Sequence, residues 1–166
     1  MSLFPATIDA LAEEVIRLYA ARGWQVATAE SCTGGLIAGA LTGVSGSSAV
    51  VDRGFVTYSN SAKQELIGVD TATLATYGAV SRETSLQMVR GALWRSRATA
   101  AVAVTGIAGP GGGSAEKPVG LVHIAAMTKS GALLHREMRY GDLGRDAVRL
   151  ATVETALSLL VSLAQA

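Results

Sequence analysis

Two nucleophilic side chains, Ser31 and Cys32, stand next to each other in the segment 29–35, which reads Ala-Glu-Ser-Cys-Thr-Gly-Gly. The apolar run at 24–29 predicts a buried strand, and a helix is predicted soon after it. The amino terminus of a helix carries unpaired N–H groups and a partial positive charge, so such a junction favours anionic ligands and developing negative charge. The sequence therefore indicates a candidate site for nucleophilic chemistry at this junction.

The same segment also has a purely structural interpretation. Ser31 and Thr33 lie where a hydroxyl caps a helix, and spacing alone favours an N-cap serine over a nucleophile. Cys32 is interpreted as a small buried hydrophobic residue. Gly34 and Gly35 would let the backbone approach a ligand closely. Spacing alone thus leaves open whether Ser31 is a nucleophile or a cap.

A second glycine-rich segment, 105–120, follows a strand-like run and is too long and too rich in glycine for a simple turn. Thr105, Gly106 and Gly109 lie at its start, and successive backbone N–H groups in such loops can cradle a phosphate. The usual nucleotide fingerprints are absent, because Ser114 stands where a third dinucleotide glycine would be and no correctly spaced Gly-Lys pair follows Gly106. We interpret this segment as a phosphate or substrate cradle of another kind.

A third group of polar side chains, Ser48, Tyr58 and Lys63, lies between the two glycine-rich segments. A lysine acts as a general base only if burial or nearby positive charge lowers its pKa toward neutrality, and a tyrosine or second serine can relay the proton. Taken alone, Lys63 is typical of a solvated helix residue, and Arg145 is typical of surface charge. Only their combination with the segment 29–35 favours catalysis.

The elements that must position these residues alternate between helix and strand. Helical spacing of apolar residues predicts helices at 7–22, 34–42, 61–67, 71–76, 82–95 and 145–163. Apolar runs predict strands at 24–29, 54–59, 99–106, 120–128 and 132–140, the last two joined as an antiparallel hairpin. This order predicts an α/β fold, a three-layer α/β/α sandwich around a mixed sheet of about five strands. We expect residues 1–166 to form one domain.

Composition argues against several classes of partner. The chain carries 14 Lys and Arg against 13 Asp and Glu, a formal net charge of +1, so no strong field attracts nucleic acid. The apolar runs are shorter than the ~20 residues of a spanning helix, and the first residues lack the pattern of a secretory signal. A single cysteine and the separated His123 and His135 predict no metal site. We expect a cytoplasmic protein without a membrane or nucleic-acid partner.

Five short motifs resemble those of a known family. The stretches "AESCTGG", "VTYSNSAK", "GAVS", "TGIAGPGGG" and "KPVG" are similar, in their order, to the signatures of the CinA carboxy-terminal domain family of nicotinamide mononucleotide (NMN) deamidases. The resemblance spans nearly the whole chain. It implies a three-layer α/β/α fold and hydrolysis of the carboxamide of NMN to nicotinate mononucleotide and ammonia, within pyridine-nucleotide recycling. The nucleotide-processing domain of longer family members is not part of this sequence, so no second activity is expected.

The resemblance also implies roles for individual residues. Ser31 would be the nucleophile and Lys63 the base, with Ser48 and Tyr58 as polar members of the catalytic site. The residues expected to bind substrate are Thr33, Gly34, Gly35, Thr105, Gly106, Gly109 and Arg145. The first three would face the oxyanion with N–H groups, and we nominate Arg145 and the loop 105–113 for the 5′-phosphate. No cofactor and no metal is expected.

Two other classes of function remain open at this point. A non-catalytic nucleotide- or phosphate-binding regulatory module, linked to competence or DNA damage, would keep the glycine-rich loops but need no nucleophile. An interaction protein would use the apolar surface that a 49% hydrophobic composition implies, and we expect a homo-oligomer in any case. Release of ammonia from NMN would separate the enzyme from both alternatives.

Overall fold

A five-stranded sheet forms the centre of the computed structural model, which describes residues 1–166. Its strands are β1 (Val26–Glu30), β2 (Val51–Val56), β3 (Ala100–Gly106), β4 (Leu121–Thr128) and β5 (Leu133–Arg139). They lie in the order β2-β1-β3-β4-β5, with β1 parallel to β2 and β3, and with β4 antiparallel to β3 and β5. The carboxyl ends of β1, β2 and β3 therefore meet at one edge of the sheet, which is where α/β proteins bind ligands.

Helices cover both faces of this sheet. They are α1 (Ala6–Arg22), α2 (Leu36–Thr42), α3 (Asn60–Ile67), α4 (Thr71–Tyr77), α5 (Arg82–Trp94) and α6 (Arg145–Gln165), with a 3-10 turn at Ser47–Ala49. The first, second and sixth helices pack on one face, and the other three pack on the opposite face. The predicted three-layer α/β/α sandwich with a mixed sheet is confirmed, including the terminal hairpin.

The two faces of the sheet carry side chains of different size. Toward α6 the strands present Val26, Val102, Val104, Val122 and Ile124, whereas toward α5 they present Ala27, Ala29, Ala101, Ala103 and Ala125. Interiors are close-packed, so the small side chains of the second face let α5 lie close to the sheet. All ten residues are buried, which explains why β1, β3 and β4 read as continuous apolar runs in the sequence.

One predicted strand is shifted. The sequence predicts a strand at 54–59, whereas β2 occupies Val51–Val56, so Tyr58 follows the strand instead of ending it. Val51 opens β2, but the charged Asp52 and Arg53 follow it, as is common in an edge strand, and they interrupt the apolar pattern that would have marked its start. Gly54 lies inside the strand, where a Cβ would come within 2.8 Å of Thr28 Oγ1 on the neighbouring strand.

The last helix, α6, is long and apolar enough to cross a membrane if only length and composition are considered. In the fold it packs against α1, β3 and β4, and nine of its residues are buried. The hydroxyl of Tyr19 on α1 donates a hydrogen bond to the Leu160 carbonyl at 3.0 Å, which ties the two helices together. In this fold α6 is therefore packed as a core helix.

Candidate active site

Ser31 and Lys63 form a hydrogen-bonded pair at the carboxyl edge of the sheet. Ser31 directly follows β1, and Lys63 lies on α3, which follows the neighbouring strand β2. The Lys63 Nζ atom lies 3.0 Å from Ser31 Oγ, and both side chains are buried. A hydroxyl within hydrogen-bond reach of a buried amine is the arrangement that nucleophilic catalysis by serine requires.

The remaining partners of Lys63 are main-chain carbonyls. Its Nζ atom donates to the Thr57 carbonyl at 2.7 Å and to the Tyr58 carbonyl at 3.2 Å. Two N–H bonds are thus committed to fixed acceptors, and the third position on the nitrogen faces Ser31. In the neutral amine that position is a lone pair, which can accept the serine proton.

Burial lowers the pKa of Lys63 from its ordinary value of 10.5 to about 8, while the nearby Cys32 thiol opposes this shift. The cause is loss of hydration, which disfavours the ammonium form. Lys63 makes no salt bridge that would restore the charged state. At pH 8 about half of the lysine is therefore neutral, whereas an ordinary lysine is almost fully charged there.

The position of Lys63 depends on how α3 is anchored at both ends. Ser59 caps the amino terminus, because its hydroxyl accepts the N–H of Ala62 at 3.0 Å. At the other end, the Ile67 carbonyl lies against the backbone of α5, where a Cβ on Gly91 would come within 1.8 Å of it. Lys63 precedes Ile67 by one helical turn, so both residues face inward. Close packing at Gly91 thus holds the lysine against the sheet edge.

The N-cap interpretation of Ser31 is wrong, and Glu30 performs that role instead. The α2 helix begins after Gly35 and has no conventional side-chain cap. The buried Glu30 carboxylate accepts the N–H groups of Ile37 at 2.9 Å and Ala38 at 3.0 Å, together with the Thr33 hydroxyl at 2.6 Å. A carboxylate at a helix amino terminus satisfies its unpaired donors and complements its dipole. The Ser31 hydroxyl is therefore left for Lys63.

Thr33, Gly34 and Gly35 do not line the pocket next to Ser31, contrary to expectation. Thr33 is fully buried, and the Gly34 N–H donates to the Ser31 carbonyl at 3.0 Å. Both glycines adopt positive φ values, 58° and 105°, so their role is to form the turn. Cys32, the residue that follows the nucleophile, lines the pocket, and its N–H donates to no main-chain carbonyl. Cys32 is thus the residue whose N–H could face an oxyanion.

The thiol of Cys32 belongs to the hydrophobic core, as the sequence predicted. The residue is 6% exposed and packs in the cluster on the α6 side of the sheet. Burial raises the pKa of this thiol to about 11. A protonated thiol in an apolar environment is a poor nucleophile. Of the two adjacent nucleophiles, only Ser31 has an activating partner.

A pocket of about 270 Å³ opens beside the pair. Its wall includes Ser31, Lys63, Tyr58, Thr105, Gly109 and Arg145. Lys63 and Arg145 are its charged side chains, and it contains no carboxylate, so the pocket favours an anionic ligand. A larger cavity of about 620 Å³ lies near the carboxyl end of α2, but its charged side chains, Asp9 and Glu13, are acidic and would repel an anionic ligand. The smaller pocket is the candidate active site.

Tyr58 and Arg145 form one rim of the pocket. The Arg145 guanidinium donates to the Gly109 carbonyl at 2.8 Å and to the Tyr58 hydroxyl at 3.1 Å. The main-chain carbonyl of Tyr58 accepts from Lys63, whereas its hydroxyl accepts from Arg145. The length of the tyrosine side chain therefore separates Arg145 from the base. Tyr58 is 61% exposed, and its hydroxyl contacts Arg145 rather than Lys63. It does not connect to the pair as a proton relay.

The glycine-rich loop after β3 forms the wall next to this rim. Thr105 is buried, and its hydroxyl donates to the Ala79 carbonyl at 2.7 Å, which fixes the segment before α5 beside the pocket. Gly106 is required by packing, because a Cβ there would lie 2.6 Å from the Val122 side chain. Gly109 offers its carbonyl to Arg145. The loop thus shapes the pocket and orients the arginine.

Ser48 does not lie at the pocket, so the structure does not bring it together with the other residues expected in the catalytic group. It is exposed in the 3-10 turn before β2, whereas the pocket lies beyond the end of that strand. Since Val51 pairs with Val26 at the start of β1, the whole length of the strand separates Ser48 from Ser31. A five-residue strand spans ~16 Å, far beyond hydrogen-bond reach.

Two residues at this site were missed in the sequence. Glu30 is the buried carboxylate described above, and Arg149 of α6 contacts the carbonyls of Cys32 and Thr33. Arg149 stands four positions after Arg145, so the two arginines share one helix face. That spacing was the available signal. An acidic residue ending an apolar strand was the corresponding signal for Glu30.

Comparison with known proteins gives a consistent result. The chain is 52% identical over 152 residues to the nicotinamide-nucleotide amidohydrolase PncC of Enterobacter agglomerans, covering 89% of this chain and 92% of that protein. It is 52% identical to the protein of the same name from Escherichia coli K12, covering 90% of each. A longer CinA-like protein of Anaeromyxobacter dehalogenans is 47% identical over 92% of this chain and 37% of its own length.

Solved structures agree with the fold. The competence/damage inducible protein CihA from Agrobacterium tumefaciens superposes with a TM-score of 0.97 at 67% identity, covering 98% of this chain and 99% of that one. A CinA superfamily protein from Klebsiella pneumoniae gives a TM-score of 0.90 at 37% identity, covering 96% and 99%. The family model described as the CinA C-terminal domain matches residues 8–164. The chain therefore belongs to the CinA C-terminal domain family.

Proposed function

We propose that this protein is a nicotinamide-nucleotide amidase, which hydrolyses the carboxamide of NMN to nicotinate mononucleotide and ammonia. The observation that carries the proposal is the buried contact between Lys63 and Ser31 beside a cationic pocket. The relatives named nicotinamide-nucleotide amidohydrolase match nearly their full length. An amide is resonance-stabilised and its nitrogen leaves poorly without a proton, so the reaction needs a nucleophile, a proton shuttle and an oxyanion site.

The first half of the reaction forms an ester on Ser31. Neutral Lys63 accepts the Ser31 proton as the serine oxygen attacks the carboxamide carbon, and the carbonyl oxygen becomes an oxyanion that faces the Cys32 N–H. The intermediate then collapses, the carbon–nitrogen bond breaks, and the Lys63 ammonium returns its proton to the departing ammonia. Lys63 is neutral again at the end of this half.

The second half consumes water. Lys63 takes a proton from a water molecule, whose oxygen attacks the ester carbon, and the second oxyanion faces the same donor. Collapse breaks the bond to the serine oxygen, which recovers a proton from Lys63. The carboxylic acid product ionises on release. The two carbonyl acceptors of Lys63 stay in place throughout, because only the proton on the Ser31 side moves.

Arg145 is our choice for binding the 5′-phosphate. A guanidinium presents parallel donors that fit phosphate oxygens, and this one stands at the pocket rim with an exposed face. Its bonds to Gly109 and Tyr58 hold the group in one orientation. The glycine-rich loop lies next to it and offers backbone N–H groups. The substrate would then reach from Arg145 to Ser31 across the pocket.

The experiment that tests the function is ammonia release from NMN by the purified protein, with nicotinate mononucleotide identified as the other product. We expect turnover that survives exhaustive treatment with EDTA, because each proposed step uses only side chains and backbone groups. A protein that binds NMN without releasing ammonia would be the regulatory module instead. We further propose that residues 1–166 act as one domain and that the protein is a cytoplasmic homo-oligomer.

A further inference from the structure

Arg149 holds the turn that carries the nucleophile. Its Nε donates to the Cys32 carbonyl at 3.0 Å, and its NH2 group donates to the Thr33 carbonyl at 3.3 Å. These are the two central residues of a turn that is closed by the Gly34 N–H on the Ser31 carbonyl. A single guanidinium thus binds the carbonyls of both central residues of the turn, and the Thr33 carbonyl also accepts the N–H of Leu36 at 3.1 Å.

The orientation of these peptide groups has an electrostatic consequence. In a planar trans peptide the C=O and N–H bonds point in opposite directions. Because both carbonyls face Arg149, the N–H ends of the same peptides face the other side of the turn, as the Gly34 bond to the Ser31 carbonyl shows directly. The Gly34 N–H is thereby kept on the Ser31 carbonyl, and because that carbonyl belongs to the same peptide as the Cys32 N–H, the Cys32 N–H points away from the inside of the turn.

The guanidinium also keeps these two carbonyls away from the reacting centre. A carbonyl oxygen turned toward Ser31 would repel an oxyanion that forms there, and it would compete for the serine proton. The planar guanidinium presents its donors in a fixed fork that suits two neighbouring acceptors. A lysine ammonium cannot reproduce this geometry. Arg149 reaches the turn from α6 and is absent from the pocket wall, so its action on substrate is indirect.

We propose that Arg149 is a positioning residue for the amidase reaction, which holds the turn 31–34 so that the Cys32 N–H is directed at the oxyanion formed on Ser31. The inference rests on the proposed function. It assigns Arg149 a role in the transition state and none in binding the substrate. Arg145, one turn earlier on the same helix, supplies the contrast, because its proposed role is in substrate binding.

The test compares Arg149→Ala and Arg149→Lys with the wild-type enzyme in ammonia release from NMN. We expect Arg149→Ala to lower kcat by about 100-fold, the lower end of the effect of losing an oxyanion donor, with KM changed less than about threefold. Arg149→Lys keeps the positive charge but not the planar guanidinium, so its kcat should lie between those of Arg149→Ala and the wild type. The inflection in the pH profile of kcat/KM should not move, because Lys63 is untouched.

Chemical rescue provides a readout that a purely structural role would not affect. Guanidinium ion, at concentrations far below those that unfold proteins, should restore part of kcat to Arg149→Ala and should not raise the kcat of the wild type.

Arg149→Lys covers the case in which the alanine variant does not fold, and wild-type kcat in the lysine variant would overturn the proposal. A lower melting temperature with full kcat, or a raised KM with full kcat, would also overturn it. A wild-type protein that releases no ammonia would overturn this proposal together with the amidase function, whereas active wild type with fully active variants would overturn this proposal alone.

Discussion

Ser31 and Lys63 are 32 residues apart in the chain, and their side chains meet at 3.0 Å. Each residue follows one of two neighbouring parallel strands, β1 and β2, whose carboxyl ends lie at the same edge of the sheet. The contact is therefore a product of strand pairing and of the packing of α3 on α5. Ser31 has no role in capping α2, so its chemistry and the stability of that helix can be tested separately.

Ser31→Ala should abolish ammonia release while leaving NMN binding largely intact, because the acyl acceptor is lost without changing the pocket wall. Cys32→Ala should keep kcat within a few-fold of wild type and cost about 1 kcal/mol of stability, since it removes one buried atom. The measurements are ammonia release and melting temperature on both variants. An inactive Cys32→Ala with an active Ser31→Ala would make the site a thiol amidase.

The pH dependence of kcat/KM should report Lys63. The neutral amine is the active form and its pKa is about 8, so kcat/KM should rise about tenfold per pH unit below that value and level off above it. Lys63→Arg should be inactive at every pH, because a guanidinium stays charged. Steady-state kinetics between pH 6.5 and 9.5 test this, with Arg145→Ala as the control that keeps the inflection. A flat profile over that range would remove Lys63 as the base.

The free energy of unfolding should also depend on pH through the protonation of Lys63. Unfolded Lys63 binds a proton up to about pH 10.5, whereas folded Lys63 binds it only up to about pH 8, so the unfolded state binds more protons between these values. The stability of the wild type should therefore rise with pH across this window relative to Lys63→Met, by on the order of 3 kcal/mol. Denaturant unfolding of both proteins at pH 7 and pH 10 measures the difference. Parallel behaviour of the two proteins would show that the lysine is not desolvated.

Arg145→Ala should raise KM for NMN and leave kcat nearly unchanged. Loss of a charged hydrogen bond to phosphate costs roughly 1.5–3 kcal/mol, which corresponds to about a 10- to 150-fold increase. Tyr58→Phe, which removes only the hydroxyl that accepts from the arginine, should raise KM much less. The measurement is KM for NMN and for nicotinamide riboside, which lacks the phosphate. The Arg145→Ala replacement should raise KM for NMN only. An unchanged KM for NMN in Arg145→Ala would exclude the arginine from phosphate binding.

Glu30→Gln should destabilise the protein by about 2–3 kcal/mol, because the amide NH2 replaces an oxygen that accepts from the first turn of α2. Glu154→Gln, on the exposed face of α6, is the matched control and should change stability by less than about 0.5 kcal/mol. Thermal or denaturant unfolding of the two variants gives the comparison. Equal stabilities would mean that the Glu30 carboxylate does not cap the helix.

The sequence predicted the elements well where hydrophobic periodicity was strong. The long helices α1, α5 and α6 and the buried strands β3 and β4 lie within a few residues of their predicted bounds. The edge strand β2 was misplaced because Asp52 and Arg53 near its start interrupt the apolar pattern. Local pattern predicts secondary structure best where one face of an element is buried.

The candidate site was only partly predictable, because its contacts are long-range. Ser31, Lys63, Tyr58, Thr105, Gly109 and Arg145 come together as the family resemblance implied. Ser48 lies near Tyr58 in the chain, but strand β2 carries the two residues to opposite ends of the sheet. Arg149 acts on main-chain atoms, which leave no trace in a motif. Residue type indicated the chemistry, and topology decided which residues could take part.

The two carbonyls that hold Lys63 belong to Thr57 and Tyr58, and they would remain if either side chain were replaced. A saturation scan would therefore find many side chains tolerated at the exposed position 58, since every amino acid supplies the same oxygen, whereas the fully buried position 57 admits only side chains of a size similar to threonine. The exception is a change that bends the chain, such as a proline at 58 or 59. Tolerance to substitution at position 58 would mark a function carried by the backbone, which evolution can preserve without preserving the residue.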